Sequence, residues 1–265
     1  MKKLAVILLF AFIALVALHF FLSPKNEEFM IEDLYEEIQL KGKLKVGINI
    51  DSKPFGFINE KGDFAGYDVD LAHYIAKYLL KNANGLEIIP VTPANRLLKA
   101  STGEVDIVIS TVTITPARED VVSFSIPYDV AGQAILVRAN SSITSISDLA
   151  NQHVGVVFGT TAEKNIKNLV PTAILLGYRT YQEAYLALKN GEISAITSDD
   201  TILSRFSSDD KSVKLLSKRY SKEPYGIAFK KGVSTSKLKE QIDYAIKDME
   251  QKNIIIRLQK KWKIR

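Results

Sequence analysis

Short apolar runs that predict buried strands alternate with helical segments, and this alternation begins twice along the chain. The first series has strands at 44–50, at 86–91 and from residue 107 onward, with helices at 69–80 and 95–101. The second has strands at 154–158, 193–197 and 213–216, with helices at 162–168 and 181–190. Strands separated by helices favour parallel pairing in an α/β fold. With 265 residues the chain is long enough for two cores, so the pattern predicts two α/β lobes.

Turn and capping residues divide these segments. Residues 60–63 predict a hairpin turn, and Asp68 is predicted to cap the helix that follows it. Gly103 and Gly191 each stand where a helix is expected to end. A strand at 225–229 and a long amphipathic helix at 236–259, mildly broken at Asn253, come last in the sequence.

The N-terminus has the pattern of an export segment. Lys2 and Lys3 precede an apolar run at 4–22, which is close to the roughly 20 residues that a membrane-spanning helix needs. A small-x-small cleavage site is poor, so residues 1–22 are either a signal peptide or an uncleaved membrane anchor. In both cases the body of the protein is expected outside the cytoplasmic membrane. Residues 23–42 are charged and mildly helical, which predicts a tether or first helix.

Composition argues against several functions. The net charge is only +5, and the basic residues are scattered, whereas nucleic-acid binding needs them clustered on a face. Cysteine is absent, which excludes disulfides, thiolate metal sites and a cysteine nucleophile. Only three histidines occur, and no two of them have the spacing of metal ligands. We therefore expect no nucleic acid, no metal and no cofactor.

Residues 106–120 contain a candidate anion site. An apolar run leads into the hydroxyl side chains of Ser110, Thr111 and Thr113, and a turn then precedes Arg118. A guanidinium matches a carboxylate bidentately, and nearby hydroxyl and N–H groups can complete its hydrogen bonds. The alternative is a strand followed by a turn with a solvated arginine, and this stretch alone leaves both interpretations open.

A second anion-binding arrangement follows the strand at 154–158. Gly159, Thr160 and Thr161 lead into a helix, where free N–H groups and the helix dipole favour negative charge. Turns of this kind are common, so the motif by itself does not separate a binding site from an ordinary helix start.

Several motifs together resemble those of the polar amino-acid-binding proteins of ABC importers, extracytoplasmic solute-binding protein family 3. The motifs are Pro54-Phe55-Gly56-Phe57, Gly66-Tyr67-Asp68-Val69-Asp70-Leu71-Ala72, Gly103-Glu104-Val105-Asp106, Thr113-Ile114-Thr115-Pro116-Ala117-Arg118, Phe124-Ser125-Ile126-Pro127-Tyr128, Gly159-Thr160-Thr161 and Asn190-Gly191-Glu192-Ile193. Each is weak alone, but their order and spacing are specific from about residue 43 to residue 262. The nearest resemblance is to aspartate/glutamate-type binders of Gram-negative bacteria.

The resemblance implies an α/β protein with the two-lobed periplasmic-binding-protein fold (type II). Each lobe is expected to be a mixed sheet flanked by helices, with two hinge strands joining the lobes. The first lobe is expected at 43–131 and 225–265, and the second at 136–221. Proteins of this kind close their lobes around the ligand.

The resemblance also implies how the first lobe holds an amino acid. Arg118 matches the family arginine that clamps the α-carboxylate of the ligand. Thr113 and the backbone at Ser110 and Thr111 match positions that supply further hydrogen bonds to the ligand. These four residues are therefore predicted to form one side of a clamp.

The second lobe is expected to supply the opposing groups. Thr160 and Thr161 match a turn that also holds the carboxylate. Asp199 matches the aspartate that binds the α-ammonium group, with Asp200 as the alternative if the register differs by one. A ligand held from opposite lobes would cross-link the closed state.

Other candidates concern the side chain of the ligand. In members that bind acidic amino acids, an arginine at the position of Arg96 can meet the side-chain carboxylate; the alternative is a solvated helix arginine. Ser52 and Lys53 stand where many members place an aromatic residue that stacks on the ligand, so this wall is expected to differ. Asn49 completes the set of predicted ligand-binding residues.

We therefore expect a binding protein and not an enzyme. It would capture a polar L-amino acid, with acidic ones as candidates, and deliver it to the permease subunit of an ABC importer. It is expected to act as a monomer in the periplasm, soluble after cleavage or tethered to the inner membrane by residues 4–22. Two alternatives stay open: an enzyme on the same fold, similar to prephenate or arogenate dehydratases, and a membrane-anchored amino-acid sensor.

Overall fold

The structure is a computed structural model that describes residues 33–264, so the predicted export segment at 1–22 lies outside the described residues. Between residues 33 and 264, no helix has the length and apolar character that crossing a bilayer requires. The first described helix spans Leu34–Lys41 and is capped by Asp33, whose carboxylate accepts the Tyr35 N–H at 2.8 Å. It occupies most of the second half of the segment predicted as a tether or first helix.

Strands and helices alternate along this part of the chain. The strands are β1 (Leu44–Asn49), β2 (Asp51–Ser52), β3 (Gly56–Ile58), β4 (Phe64–Ala65), β5 (Leu86–Val91), β6 (Ile107–Val108), β7 (Val122–Phe124), β8 (Asp129–Ala131), β9 (Gln133–Arg138), β10 (His153–Val157), β11 (Ile174–Tyr178), β12 (Ala195–Asp199), β13 (Val213–Leu215), β14 (Glu223–Tyr225) and β15 (Ala228–Lys230). The α-helices are α1 (Leu34–Lys41), α2 (Tyr67–Leu80), α3 (Arg96–Thr102), α4 (Pro116–Glu119), α5 (Ala162–Leu169), α6 (Tyr181–Asn190), α7 (Asp200–Asp209), α8 (Ser236–Gln251) and α9 (Ile254–Lys261). Short 3-10 helices lie at Ala83–Gly85, Ile146–Leu149 and Val233–Thr235.

Two five-stranded sheets define two lobes. The sheet of the first lobe has the order β5-β1-β6-β15-β7, and the sheet of the second lobe has the order β11-β10-β12-β9-β13. In the first sheet β1 runs parallel to β5 and β6, whereas β15 is antiparallel to β6 and β7. In the second, β10 runs parallel to β11 and β12, whereas β9 is antiparallel to β12 and β13. Both sheets are therefore mixed, and the two-lobed α/β fold is confirmed.

The chain passes between the lobes through β8 and β14. These two strands pair with each other in antiparallel fashion, with Asp129 opposite Tyr225, and form a separate small sheet. Buried aromatic rings surround this hinge. The Phe55 ring meets the Tyr67 ring edge-on at 5.7 Å and the Tyr225 ring edge-on at 5.9 Å, and the Tyr128 and Tyr225 rings lie 6.2 Å apart.

Helix α2 begins in a way that contradicts the predicted cap. The residue before the helix is Gly66, at φ 134°, and a Cβ there would lie 2.0 Å from the Phe55 carbonyl oxygen. The Tyr67 and Asp68 N–H groups donate to the carbonyls of Pro54 and Phe55, each at 2.9 Å. Because backbone oxygens already accept these N–H groups, Asp68 is not needed as a cap, and its side chain is buried inside the first lobe.

Other local signals agree with the structure. Gly103 and Gly191 end α3 and α6 in the left-handed conformation, at φ 78° and 81°. The hairpin turn predicted at 60–63 connects β3 and β4, which are antiparallel. Asn253 adopts φ 55° and separates α8 from α9, so the predicted long helix is two helices.

Helix α2 offers a direct test of the first core, because its buried and exposed faces are distinct. We expect Leu71→Ala, at a fully buried position, to lower the free energy of unfolding by about 2–5 kcal/mol, since it leaves a cavity. Lys77→Ala on the exposed face of the same helix should change it by less than about 0.5 kcal/mol. Urea unfolding measures both, and equal effects would contradict the assigned core face.

Candidate functional site

The loop between β6 and α4 lies at the carboxyl end of a central strand of the first sheet. Ser110, Thr111 and Thr113 are all buried there. The loop is attached to the hinge, because the Ile114 N–H donates to the Pro224 carbonyl at 2.8 Å. Ligands of open α/β sheets bind outside the carboxyl ends of the strands, which makes this loop a favourable position for a site.

Arg118 projects from α4 into contact with both lobes. Its Nη1 donates to the Thr113 carbonyl at 2.8 Å, and its Nη2 donates to the Gly159 carbonyl of the second lobe at 3.0 Å. Burial, followed by repulsion from the Arg96 guanidinium, lowers the pKa of Arg118 to about 10. The side chain is still cationic at neutral pH, and a buried cation is stabilised by an anionic partner.

The turn between β10 and α5 brings Gly159, Thr160 and Thr161 to the edge of the first lobe. The Thr160 hydroxyl donates to the Val157 carbonyl at 2.7 Å, and the Thr161 hydroxyl donates to the Glu223 carboxylate at 3.1 Å. Both hydroxyl protons are therefore engaged by the protein itself. An anion at this turn would be stabilised by the positive end of α5 and not by these two protons.

Asp199 and Asp200 have different surroundings at the end of β12. Asp199 is buried, and its carboxylate accepts the Tyr225 hydroxyl at 2.6 Å. Asp200 accepts the Gly132 N–H at 3.0 Å and forms an ion pair with Arg219 at 2.8 Å. Asp199 is thus the one of the two that lies in buried surroundings, whereas the alternative register would place a paired carboxylate in the site.

Burial is the main influence on the Asp199 carboxyl, and it raises the pKa of Asp199 to about 7. The hydrogen bond from Tyr225 and the charge of Arg96 lower the pKa, whereas the nearby carboxylate of Glu223 raises it. The hydroxyl that donates to Asp199 is neutral, so this contact does not neutralise the carboxylate. A buried acid of this kind can receive a cationic group, such as an ammonium.

Arg96 is the first residue of α3 and is only 2% exposed. Its Nη1 donates to the Ser110 carbonyl and, at 3.4 Å, to the Thr111 carbonyl. Burial lowers the pKa of Arg96, and the charge of Asp199 partly opposes this effect. The alternative of a solvated helix arginine is therefore wrong: Arg96 supports the loop that carries Ser110 and Thr111.

Asn49 and Ser52 join the same group of residues beside the loop. The Asn49 N–H donates to the Ser110 hydroxyl at 3.3 Å, and the Ser52 hydroxyl donates to the Asn49 carbonyl at 3.3 Å. The Asn49 side chain accepts the Asp51 N–H at 3.1 Å. Both side chains are buried, so the structure brings these predicted residues together next to Ser110.

The lobes contact each other along the site. Besides the bond between Arg118 and Gly159, the Tyr181 N–H at the start of α6 donates to the Asp51 carboxylate at 3.0 Å. Gly159, at φ 78°, is so close to the first lobe that a Cβ would lie 2.3 Å from the Pro93 carbonyl oxygen. The described structure therefore has its cleft closed at these points.

Four buried residues that carry no sequence signal of a binding role complete these surroundings: Tyr128, Tyr181, Glu223 and Tyr225. Burial raises the pKa of Tyr181 to about 12, with a further increase from the charge of Asp199. Glu223 accepts hydrogen bonds from the Ser221 hydroxyl at 2.6 Å and from the Asn165 amide at 2.8 Å. In sequence each tyrosine is indistinguishable from a core aromatic residue, and only the packing of the lobes shows its polar contact.

The described residues contain no group of three or more His, Asp or Glu side chains arranged to hold a metal ion. The arrangement instead combines two buried guanidinium groups with a buried carboxylate and many backbone hydrogen-bonding groups. Its chemistry suits a small molecule that carries both an anion and a cation.

Asp199→Asn is expected to raise the melting temperature of the ligand-free protein at pH 8. At that pH the wild-type carboxylate is ionised and buried, whereas the amide is neutral and still accepts the Tyr225 hydroxyl. Because the pKa of Asp199 rises from 3.8 to about 7 on folding, its destabilising effect grows as the pH rises from about 4 to 7. The gain should therefore be small at pH 4.5, as calorimetry at the two pH values would measure.

Asp200→Asn is the matched control, because the neighbouring carboxylate pairs with Arg219. This variant should not raise the melting temperature at either pH. An equal gain for Asp199→Asn at pH 4.5 and pH 8 would contradict the assigned cause.

The profile of the bacterial extracellular solute-binding proteins, family 3, matches residues 44–264. The ABC transporter glutamine-binding protein GlnH of Bacillus subtilis is 36% identical over 270 residues, which cover 99% of this chain and 97% of the relative.

Solved structures agree in fold. An ancestral arginine-binding protein bound to glutamine is 35% identical, with a TM-score of 0.77, over 83% of this chain and 97% of its own. The ancestral amino acid-binding protein AncCDT-1, a precursor of cyclohexadienyl dehydratase, is 33% identical, with a TM-score of 0.79, over 86% of this chain and 98% of its own. The chain belongs to the bacterial extracellular solute-binding proteins of family 3.

Proposed function

We propose that this solute-binding protein captures a zwitterionic amino acid between its lobes and delivers it to the permease of an ABC importer. The observation that carries the proposal is the pairing of opposite charges from opposite lobes. Arg118 comes from the first lobe and Asp199 from the second, both are buried, and the charge of Asp199 raises the pKa of Arg118 against the effect of burial. A ligand with a carboxylate and an ammonium would neutralise both groups only when the lobes are closed.

We assign each end of the ligand to one of these groups. The N–H groups of Arg118 that are not donated to Thr113 and Gly159 would hold the α-carboxylate, with the loop at 110–113 and the positive end of α5 beside it. Asp199 would hold the α-ammonium group. Closure would desolvate both contacts, which strengthens them because the local dielectric constant falls.

For the ligand side chain we propose a neutral polar group, such as an amide. The buried cations near the site, Arg96 and Arg118, are matched by the buried carboxylates of Asp199 and Glu223. The Nη1 of Arg96 already donates to two loop carbonyls, and the Nε of Arg96, which has no hydrogen-bond partner among the described residues, is the donor that the acidic alternative would use. A further ligand carboxylate would need an uncommitted cation to offset its desolvation. The glutamine-binding function in the name of the Bacillus relative supports this choice, and an acidic side chain met by Arg96 is the alternative.

An enzyme on the same fold is the second candidate. AncCDT-1, named as a precursor of a dehydratase, is a structural neighbour. The buried carboxyl of Asp199, whose pKa is raised to about 7, has the property that a general acid needs. We propose binding without turnover, because the compared relatives are named as binding proteins. Incubation with prephenate and arogenate distinguishes the two, since product formation would support the enzyme.

We propose lobe boundaries at 43–131 with 225–265, and at 136–221, and a protein that acts as a monomer. The body would lie in the periplasm, with residues 1–22 acting as a signal peptide or residues 4–22 as an inner-membrane anchor. N-terminal sequencing of the mature protein separates these two possibilities. An anchored sensor would be favoured if the segment is retained and no permease interaction is found.

Thermal shift with the twenty L-amino acids and cystine tests the proposed function. An amino acid at about 100 times its Kd should raise the melting temperature by roughly 5–10 °C. Arg118→Ala should abolish the shift for every amino acid, because the α-carboxylate then has no bidentate partner. No shift for any ligand on the wild-type protein would contradict the proposal.

Two further variants sharpen this test. Arg118→Lys keeps the charge but not the planar fork, so it should retain only part of the shift. Arg96→Ala separates the side-chain alternatives: selective loss of acidic ligands would favour the acidic interpretation over the neutral one. A larger shift with glutamine than with glutamate on the wild-type protein would support the neutral side chain.

Gly159→Ala tests closure itself. The added Cβ would clash with the Pro93 carbonyl of the opposite lobe, so we expect the Kd for L-glutamine to rise about tenfold or more. Gly191→Ala is the matched control: its φ of 81° is similar, but the atom nearest to a new Cβ, the Nη1 of Arg138, is 3.9 Å away. Isothermal titration of both variants measures the difference, and equal Kd values would contradict the role of closure at Gly159.

A further inference from the structure

Asp68 is a buried acid that neither the helix cap nor the proposed ligand contacts explain. It is 1% exposed, and it lies in the first turn of α2, where backbone carbonyls already accept the N–H groups. One carboxylate oxygen accepts the Tyr128 hydroxyl at 3.2 Å. The other, Oδ2, has no hydrogen-bond partner within the described residues. A buried carboxylate with one unpaired oxygen lowers the free energy of unfolding, so stability does not explain the presence of Asp68.

The Tyr128 hydroxyl connects Asp68 to the candidate ligand-binding loop. This hydroxyl accepts the Thr111 N–H at 3.2 Å. Because its oxygen accepts from Thr111, its single proton is available for the Asp68 carboxylate. Tyr128 is itself buried, and its ring stacks on the Tyr67 ring with centroids 6.2 Å apart, which fixes where the hydroxyl lies. The result is a continuous chain of hydrogen bonds from the core to the loop.

Thr111 has a backbone conformation that needs support. Its φ is 46°, in the left-handed region, which is strained for an L-residue and rare for a β-branched side chain. Both peptide groups beside it are held: its N–H by Tyr128, and its carbonyl by Arg96 at 3.4 Å. Strained residues of this kind persist where the surroundings determine them, and they concentrate at functional sites.

We propose that Asp68 is a positioning residue that, through the Tyr128 hydroxyl, holds Thr111 in the left-handed conformation that shapes the ligand-binding loop. This inference rests on the proposed function, in which the loop at 110–113 lies beside the α-carboxylate. Asp68 touches no ligand in this scheme, and its effect passes through Tyr128 to the backbone of Thr111.

The surroundings of the carboxyl agree with this role. Burial raises the pKa of Asp68 to about 7, and the charge of Asp129 raises it further, whereas the Tyr128 hydroxyl, the Thr111 N–H and the charge of Arg96 lower it. The groups that favour the charged form of Asp68 are therefore the Tyr128 hydroxyl and Thr111 N–H of the hydrogen-bond chain, together with Arg96, which donates to the loop carbonyls. A carboxylate acts here as a strong acceptor that orients the hydroxyl toward itself.

The test compares Asp68→Ala with Asp68→Asn in the full chain. NMR hydrogen exchange of the Thr111 amide reads the loop without ligand, and titration with L-glutamine reads binding. In Asp68→Ala we expect Thr111 exchange to be about tenfold faster and the Kd to rise about tenfold. Asp68→Asn retains an acceptor for Tyr128, so both quantities should stay within about threefold of wild type. Equal effects of the two substitutions, or unchanged Thr111 exchange in Asp68→Ala, would overturn the proposal.

A second background separates positioning from packing. Glycine adopts the left-handed conformation without strain, so in Thr111→Gly the loop should depend less on its support. Tyr128→Phe removes only the hydroxyl, and we expect it to raise the Kd about tenfold with Thr111 but less than about threefold with glycine there. The same loss in both backgrounds would mean that Tyr128 acts through packing and would overturn the proposal. If Asp68→Ala does not fold, this pair of variants still decides whether the hydrogen-bond chain through the Tyr128 hydroxyl holds Thr111.

The ligand-free measurement keeps this inference distinct from the proposed function. If wild-type protein does not bind L-glutamine, the ligand assignment fails, while Thr111 exchange in Asp68→Ala and in Tyr128→Phe still decides whether the hydrogen-bond chain holds the loop. Faster exchange in both variants, with exchange near wild type in Asp68→Asn, supports the inference in either case.

Discussion

Two tyrosines at the hinge each donate a hydrogen bond to a buried carboxylate, and these two contacts hold one acid of each lobe at the point where the lobes join. The Tyr128 hydroxyl donates to Asp68 in the first lobe, and the Tyr225 hydroxyl donates to Asp199 in the second. The two rings lie 6.2 Å apart, beside the strands through which the chain passes between the lobes. A carboxylate away from water is costly unless it is hydrogen-bonded, so each lobe has one acid that is held at the hinge.

The cleft concentrates charge that the fold itself does not require. Burial lowers the pKa of Arg96 and Arg118 and raises the pKa of Asp199, which means that each charged form is destabilised by its surroundings. The protein offsets this only in part, with backbone carbonyls, neutral hydroxyls and the opposite charges of Arg96, Asp199 and Glu223, which form no direct ion pair with one another in the described residues. A zwitterion that enters the cleft can supply the missing opposite charges, so the free energy that the site costs the folded protein becomes a source of affinity. The stability of this region and its binding function are therefore opposed.

The order of strands and helices was predictable because its signals are local. Apolar periodicity reports which face of a segment is buried, and Gly103 and Gly191 end helices because they adopt positive φ without strain. The predicted cap at Asp68 was wrong for the opposite reason. A cap depends on which groups accept the first N–H groups of the helix, and here these are the carbonyls of Pro54 and Phe55, which a hairpin brings back to the helix. No local sequence pattern predicts that these two carbonyls lie at the start of the helix.

The sequence by itself determined the α/β class with two lobes, because backbone geometry follows residue patterns that extend over a few positions. It also determined the residue types near the site, including the arginines and acids that a zwitterion needs. Only the tertiary structure decided their partners. Arg96 holds the loop, Thr161 bonds to Glu223 across 62 positions, and Tyr225 bonds to Asp199 across 26. Such pairs form between distant segments, so they depend on how the lobes pack and not on any local periodicity.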